Sequence, residues 1–222
     1  MSREFTISTK PYDDFKLYNK KNFTIQPGLT ILTGCNGAGK TTMLNHIRME
    51  LDKNNIPCFN FDNYHDGGRM AASKAMFFGQ VNLAATLFCS SEGEKILRNI
   101  EQTAIQIGNF VRKNQDKGEI WLLFDALDSG YSIDSIIETK TDLFQTIIKD
   151  CKYRNVEVYI VVSANSYEMA SGEQCLDVWS GKYITFKDYE DYKSYILKTR
   201  ERKNNRVYSK KGTKKGREKY DR

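Results

Sequence analysis

From residue 29 onward the chain alternates between short, nearly unbroken apolar runs and longer stretches where apolar residues recur every three or four positions. The runs at 29–33, 119–124 and 156–162 are rich in large or β-branched residues with little polar interruption. That pattern predicts strands buried on both faces of a parallel sheet. Residues 57–61 and 183–186 predict two further strands. Between these runs, Ile96, Ile100, Ala104, Ile107 and Val111 fall on one helical stripe, and Ser91 with Glu94 has the spacing of a capping box at its start. Ile133, Ile136, Ile137, Leu143, Phe144, Ile147 and Ile148 mark another helix. Helices are also predicted over 40–52 and over 188–199, the latter with Tyr189, Tyr192, Tyr195 and Ile196 on one side. Residues 71–88 are mostly apolar and helix-compatible, after a polar loop at 62–69. Ahead of Pro27-Gly28, short runs at 5–8, 15–18 and 22–25 predict a small antiparallel layer. Strands alternating with helices predict an α/β fold in three layers with a mainly parallel sheet.

Composition bounds what such a chain does. With 222 residues, 40% of them hydrophobic, it is long enough for one well-buried domain, expected over 1–199. No apolar run approaches the length of a membrane span, and the first residues lack the plan of a signal peptide. Five scattered cysteines, odd in number and without C-x-x-C, fit reduced thiols in a cytoplasmic protein and not a disulfide framework or zinc site. Charge is distributed unevenly. Residues 200–222 hold eleven Lys/Arg against three acids, so this stretch alone exceeds the chain's net +6 and the remainder carries −2. Few apolar residues and many like charges predict a flexible tail. Its basicity fits salt-sensitive contact with nucleic acid, and equally a merely solubilising end.

The strand at 29–33 leads into Gly34-Cys35-Asn36-Gly37-Ala38-Gly39-Lys40-Thr41-Thr42, which satisfies G-x-x-x-x-G-K-[ST]. The spacing has a chemical reason. Backbone N–H groups must wrap a polyphosphate closely, so side chains are absent at the turns. The helix N-terminus adds partial positive charge. Lys40 is the candidate cation for the β/γ-phosphates and Thr41 a candidate Mg²⁺ ligand. Cys35 reads as a filler at a variable loop position. A second anchor is Ile120-Trp121-Leu122-Leu123-Phe124-Asp125, where Asp125 at a strand end is the candidate partner for Mg²⁺. Taken alone, an apolar run closing on an acid marks only a strand end. It gains weight by following the glycine loop.

Four segments together carry a family resemblance. Thr33–Thr42 is similar to the G-x-N-G-x-G-K-[ST]-T loop of ATP-binding cassette (ABC) type ATPases. Ser90-Ser91-Glu92-Gly93-Glu94 resembles their L-S-G-G-[QE] signature. Asp125-Ala126-Leu127-Asp128-Ser129-Gly130 resembles the D-E-x-D-S-G stretch of the SMC/RecF/OLD-like (AAA family ATPase) branch. Val162-Ser163-Ala164-Asn165-Ser166 resembles that branch's S-T-H-S segment. The motifs occur in the family's order over residues 33–166, about 60% of the chain. The resemblance implies a compact P-loop NTPase fold and a head-to-tail, ATP-dependent homodimer. ATP and Mg²⁺ would be held by Gly34, Asn36, Gly37, Ala38, Gly39, Lys40, Thr41, Thr42 and Asp125 of one subunit, and by Ser91 and Gly93 of the other.

Departures from the pattern qualify the chemistry. The family's water-polarising glutamate is replaced by Ala126, and its switch histidine by Asn165. Loss of a general base costs roughly 10²–10⁴-fold in rate, so slow hydrolysis is expected. Asp128 is the nearest substitute acid, although its family position is at the dimer interface; Asn165 can still hydrogen-bond a phosphate or water. The roughly 50 residues between Thr41 and Ser91 leave little room for a transporter's helical subdomain and none for a coiled coil. Asn63, His65 and Gln80 are alternative candidates for the glutamine-loop position, and Tyr12 or Tyr18 for an adenine-stacking aromatic. The expected function is a Mg·ATP-binding, slowly hydrolysing ATPase. The alternative is a non-hydrolysing switch whose tail engages nucleic acid, with an unidentified protein partner supplying specificity in either case.

Overall fold

A computed structural model describes residues 2–11, 16–63 and 92–214, with single positions between 76 and 85; for 92–100 and 206–214 it describes the backbone alone. Most of the expected helix over 71–88, and Ser91 of the expected capping box, lie outside the described residues. Asn22–Ile25 (β2) pairs antiparallel with Arg3–Thr6 (β1) as a two-stranded layer. The run expected as a third strand is instead an irregular segment at 16–18. Its backbone folds onto Thr9 O, with Leu17 and Tyr18 both buried.

The main sheet has six strands in the order β4-β5-β6-β3-β7-β8. These are Gly28–Thr33 (β3), Cys58–Asp62 (β4), Glu119–Asp125 (β5), Glu157–Ser163 (β6), Cys175–Asp177 (β7) and Lys182–Ile184 (β8). All neighbours are parallel except β7 and β8, which are antiparallel. The apolar runs divide by period two, as strands buried on both faces must. In β5, Ile120, Leu122 and Phe124 enter one core, whereas Trp121 and Leu123 enter the other. In β6, Val158, Ile160 and Val162 alternate in the same way with Tyr159 and Val161.

One core lies between the sheet and helices Glu92–Lys113 (α2), Ile133–Glu138 (α3), Gln145–Tyr153 (α4) and Tyr189–Lys214 (α6). Between α3 and α4 the chain stays helical through a π-helical stretch, Thr139–Phe144. The opposite core joins helix Lys40–Lys53 (α1) and the β1–β2 layer to the sheet. There Trp121 stacks on Tyr159 at 4.1 Å between ring centres and meets the edge of Phe5 at 5.4 Å. The architecture is therefore α/β, with a mostly parallel sheet and a small antiparallel sheet, as the hydrophobic pattern predicted.

Strand order determines where the two functional stretches meet. From β3 the chain crosses by α1 toward β4 at one edge. From β6 it crosses the other way, through the short helix Tyr167–Ala170 (α5), to β7. Right-handed crossovers running in opposite directions leave by opposite faces, so a crevice opens between the C-terminal ends of β3 and β6. The loop at 34–39 lies at one side of it and residues 163–166 at the other. Lys140, from the π-helical stretch, braces the far wall. Its Nζ donates to Ser171 O (2.6 Å) and Glu168 O (3.1 Å) at the end of α5.

Trp121→Ala should lower unfolding stability by about 3–5 kcal/mol, because a fully buried aromatic shared by the sheet and the β1–β2 layer is lost. A urea midpoint that moves by less than the equivalent of about 1 kcal/mol would mean the layer contributes little there.

Candidate functional site

Gly28–Thr33 (β3) is one of the two central strands, buried from Thr30 to Thr33, and the chain must then turn sharply into α1. Gly34, Gly37 and Gly39 all take positive φ, at 148°, 76° and 104°. At Gly39 the need for glycine is steric as well: a Cβ would lie 2.7 Å from Leu17 Cδ2 and 2.9 Å from Tyr18 Oη. Leu17 and Tyr18 thus form the floor of the loop, and Tyr18 Oη donates to Gly39 O at 2.7 Å. That buried, engaged phenol does not serve as the expected base-stacking aromatic; Tyr12 lies outside the described residues. Within the loop, Ala38 N–H donates to Cys35 O at 2.9 Å.

Lys40 opens α1 and is 8% exposed. Its Nζ donates to Gly34 O at 2.7 Å, so the ammonium is folded into the loop. Burial holds its pKa below the ordinary lysine value, partly offset by Cys35, Asp128 and Asp125.

Across the crevice, Asp125 ends β5. Ser163, at the end of β6, donates its hydroxyl to Asp125 Oδ1 in a short hydrogen bond and accepts Ala126 N–H at 2.8 Å. Ala126 takes a left-handed conformation, φ 50°, unusual for a residue with a side chain. Its carbonyl, with that of Ser129, accepts from Asn63 Nδ2 at 3.1 and 2.7 Å. Asn63 therefore clamps the turn after β5; His65 and Gln80 lie outside the described residues.

A cleft of about 290 Å³ runs between these walls, lined by Leu17, Asn36, Gly37, Gly39, Lys40, Thr41, Thr42, Asp125, Ala126, Ser163 and Asn165. Most of the residues expected at the site are brought together here. Gly34 and Ala38 instead line a smaller space of about 60 Å³ behind the loop, beside Trp179. Asp128 does not line the cleft. Its Oδ2 accepts the backbone N–H groups of Asn165 (2.7 Å) and Ser166 (2.6 Å), so it fixes the segment that presents Asn165. Asp128 Oδ1 and Ser166 Oγ are buried without a hydrogen bond among the described residues. Gly93 lies in the first turn of α2, and Ser91 lies outside the described residues.

Helix α6 continues beyond residue 199, where the tail was expected to begin, to Lys214. It crosses the loop as it does so. Tyr192 Oη donates to Asn165 O (2.9 Å), and Tyr195 Oη to Asp177 Oδ1 (2.9 Å). Burial raises the pKa of both phenols, keeping them protonated donors. Thr199 Oγ1 accepts Cys35 N–H at 3.0 Å, and Lys203 Nζ donates to Asn36 O at 2.7 Å. Ser163, Thr199 and Lys203 were not foreseen as site residues. Ser163 stood within a quoted motif, but nothing in spacing tied Thr199 or Lys203 to a loop more than 160 positions earlier.

The cleft thus assembles the start of a helix, one ammonium, hydroxyls from Thr41, Thr42 and Ser163, and one carboxylate. That set suits an oxyanion, with Thr41 and Asp125 as the oxygen donors available to a hard cation. No group of three or more His, Cys, Asp or Glu forms a self-contained metal site among the described residues. Among the described residues Asp125 is the only carboxylate on the cleft wall. No protein-family model matches the chain, and a search of curated proteins finds no significant relative.

Ala126→Gly should raise stability by up to about 1 kcal/mol, since glycine takes the left-handed conformation without the Cβ penalty. Chemical denaturation would read this; a loss of stability, as for Ala→Gly in ordinary backbone, would contradict the strained turn.

Proposed function

We propose that the chain is an ATP-binding protein of the ABC ATPase type, with a compact P-loop NTPase fold. Gly37, Gly39, Lys40, Thr41 and Thr42 would cradle the phosphates, and Thr41 with Asp125 would hold Mg²⁺. The observation that carries this reading is the cleft itself. Residues of three separated motifs, the loop at 34–42, Asp125-Ala126 and Ser163–Asn165, line one crevice at the switch between β3 and β6. The glycines fit the group for a physical reason: at positive φ they let the backbone turn tightly, as a loop wrapping a polyphosphate requires, where a side chain on Gly39 would meet Leu17 and Tyr18.

Mg·ATP supplies a scissile phosphoanhydride; the chain's own residues bind and orient it. Lys40 leaves Gly34 O to meet a phosphate oxygen. Ser163 orients Asp125, and Asp128 holds Asn165 in place. None of these residues is a free general base, because Asp125 is the lone acid on the cleft among the described residues and Ala126 stands where the resembled family has glutamate. Hydrolysis is accordingly slow. ATP-dependent head-to-tail dimerisation through Ser91 and Gly93, and a cytoplasmic setting, complete the reading. No helix among the described residues is long and apolar enough to cross a membrane. The lack of a base also favours a second reading: a non-hydrolysing switch, with the basic residues beyond Asn205 engaging nucleic acid.

Single-turnover hydrolysis with Mg²⁺, run beside mass measurement in ATP, ADP and no nucleotide, tests both readings. We expect a slow phosphate release that Lys40→Ala and Asp125→Ala abolish, and a dimer in ATP only. A dimer without phosphate release supports the switch, and a monomer in every state removes the signature assignment.

Ala126→Glu should raise the single-turnover rate by roughly ten-fold or more, by returning a carboxylate to the cleft wall. An unchanged rate would locate the block elsewhere.

A further inference from the structure

Helix α6 does more at this end of the sheet than cover the core. Arg200 and Lys203 stand three residues apart, and so on one side of the helix. With Asn204 they line a polar pocket of about 400 Å³ against the loop. Asn36 and Asn165 line that pocket too, and both also line the cleft beside Lys40 and Asp125. The two spaces therefore adjoin at Asn36 and Asn165. Lys203 already reaches the loop: its Nζ donates to Asn36 O, and a Cβ on Gly37 would lie 2.7 Å from that nitrogen. Neither Arg200 nor Lys203 is paired with a carboxylate among the described residues.

We propose that Arg200 and Lys203 form a second cation site, supplied by the same chain, for the terminal phosphate of the bound nucleotide. The inference rests on the reading of the cleft as a nucleotide site and adds to it how triphosphate is told from diphosphate. Among the described residues Lys40 is the one cation on the cleft wall, and it sits at the helix start. A third phosphate would lengthen the ligand, and Asn36 and Asn165, which line both the cleft and the pocket, mark where it would come within reach of Arg200 and Lys203 while Lys40 serves the phosphates at the helix start. Lys203 then exchanges a neutral carbonyl for a charged oxygen, a stronger acceptor. A diphosphate does not extend that far and leaves Lys203 on Asn36.

Calorimetric titration of the full chain with Mg·ATP and Mg·ADP tests this, comparing the native protein with Arg200→Gln/Lys203→Gln. Glutamine removes charge while retaining a donor. We expect ATP affinity to fall about ten-fold, ADP affinity to change by less than about two-fold, and the thermal midpoint to stay in place. Lys203→Arg should recover most of the ATP affinity. Equal weakening of both nucleotides with a lowered midpoint would reduce the pair to a brace for the loop and overturn the proposal. Unchanged ATP affinity would overturn it as well; loss of single-stranded oligonucleotide retention in the same variant would then assign the pair to nucleic-acid phosphates. A native protein that binds neither nucleotide would instead overturn the reading of the cleft, and this inference with it.

Discussion

A loop that turns at three glycines within six residues cannot satisfy all of its backbone groups by itself, and buried or half-buried backbone groups need partners. Its shape must come from neighbours. Here the constraint is met from beneath by Leu17 and Tyr18, which press on Gly39, and from the flank by Thr199 and Lys203, which engage Cys35 and Asn36. The central position of β3, between β6 and β7, supplies a rigid origin. The small N-terminal layer and the C-terminal helix thus have a common purpose. Segments from opposite ends of the chain meet on these six residues.

The acidic wall is built by the same logic with different chemistry. Asp125 is oriented by Ser163, Ser163 is held by Ala126 N–H, and the Ala126 carbonyl is clamped by Asn63. Three strand ends, β4, β5 and β6, are thereby linked by polar contacts above a sheet that is otherwise apolar. Asp128 extends the network to Asn165, and Tyr192 reaches Asn165 from α6. The two walls are therefore joined through one helix, which touches both the loop and the segment facing it.

How much of this was legible in the chain depends on how far apart the cause lies from its effect. β5 and β6 announced themselves because burial on both faces leaves an unbroken apolar run. The turn into α1 did so because glycine spacing is a local requirement. β7, with only Cys175, Leu176 and Asp177, is too short to show any period. Leu17 and Tyr18 looked like a strand because their burial is apolar, but the loop above them, not a paired strand, is what they pack against. Residues 200–205 read as part of a charged tail, since composition cannot reveal that Lys203 has a carbonyl waiting across the fold. Ala126 was visible as a missing acid; its left-handed backbone was not, because nothing in an alanine signals φ.

The bond from Lys40 to Gly34 O has a consequence for rates and heats. An ammonium already satisfied within its own loop is not a vacant charge awaiting an anion. An incoming oxyanion would share the ammonium with a carbonyl at 2.7 Å, through its remaining N–H donors, or displace that carbonyl and gain only the difference between the two bonds. The internal partner also keeps Lys40 in a single place between encounters. Much of the ordering that binding would otherwise require is complete when the protein folds. A ligand of such a loop would meet a lysine already in position, with the Gly34 carbonyl ready to take the ammonium back when it leaves.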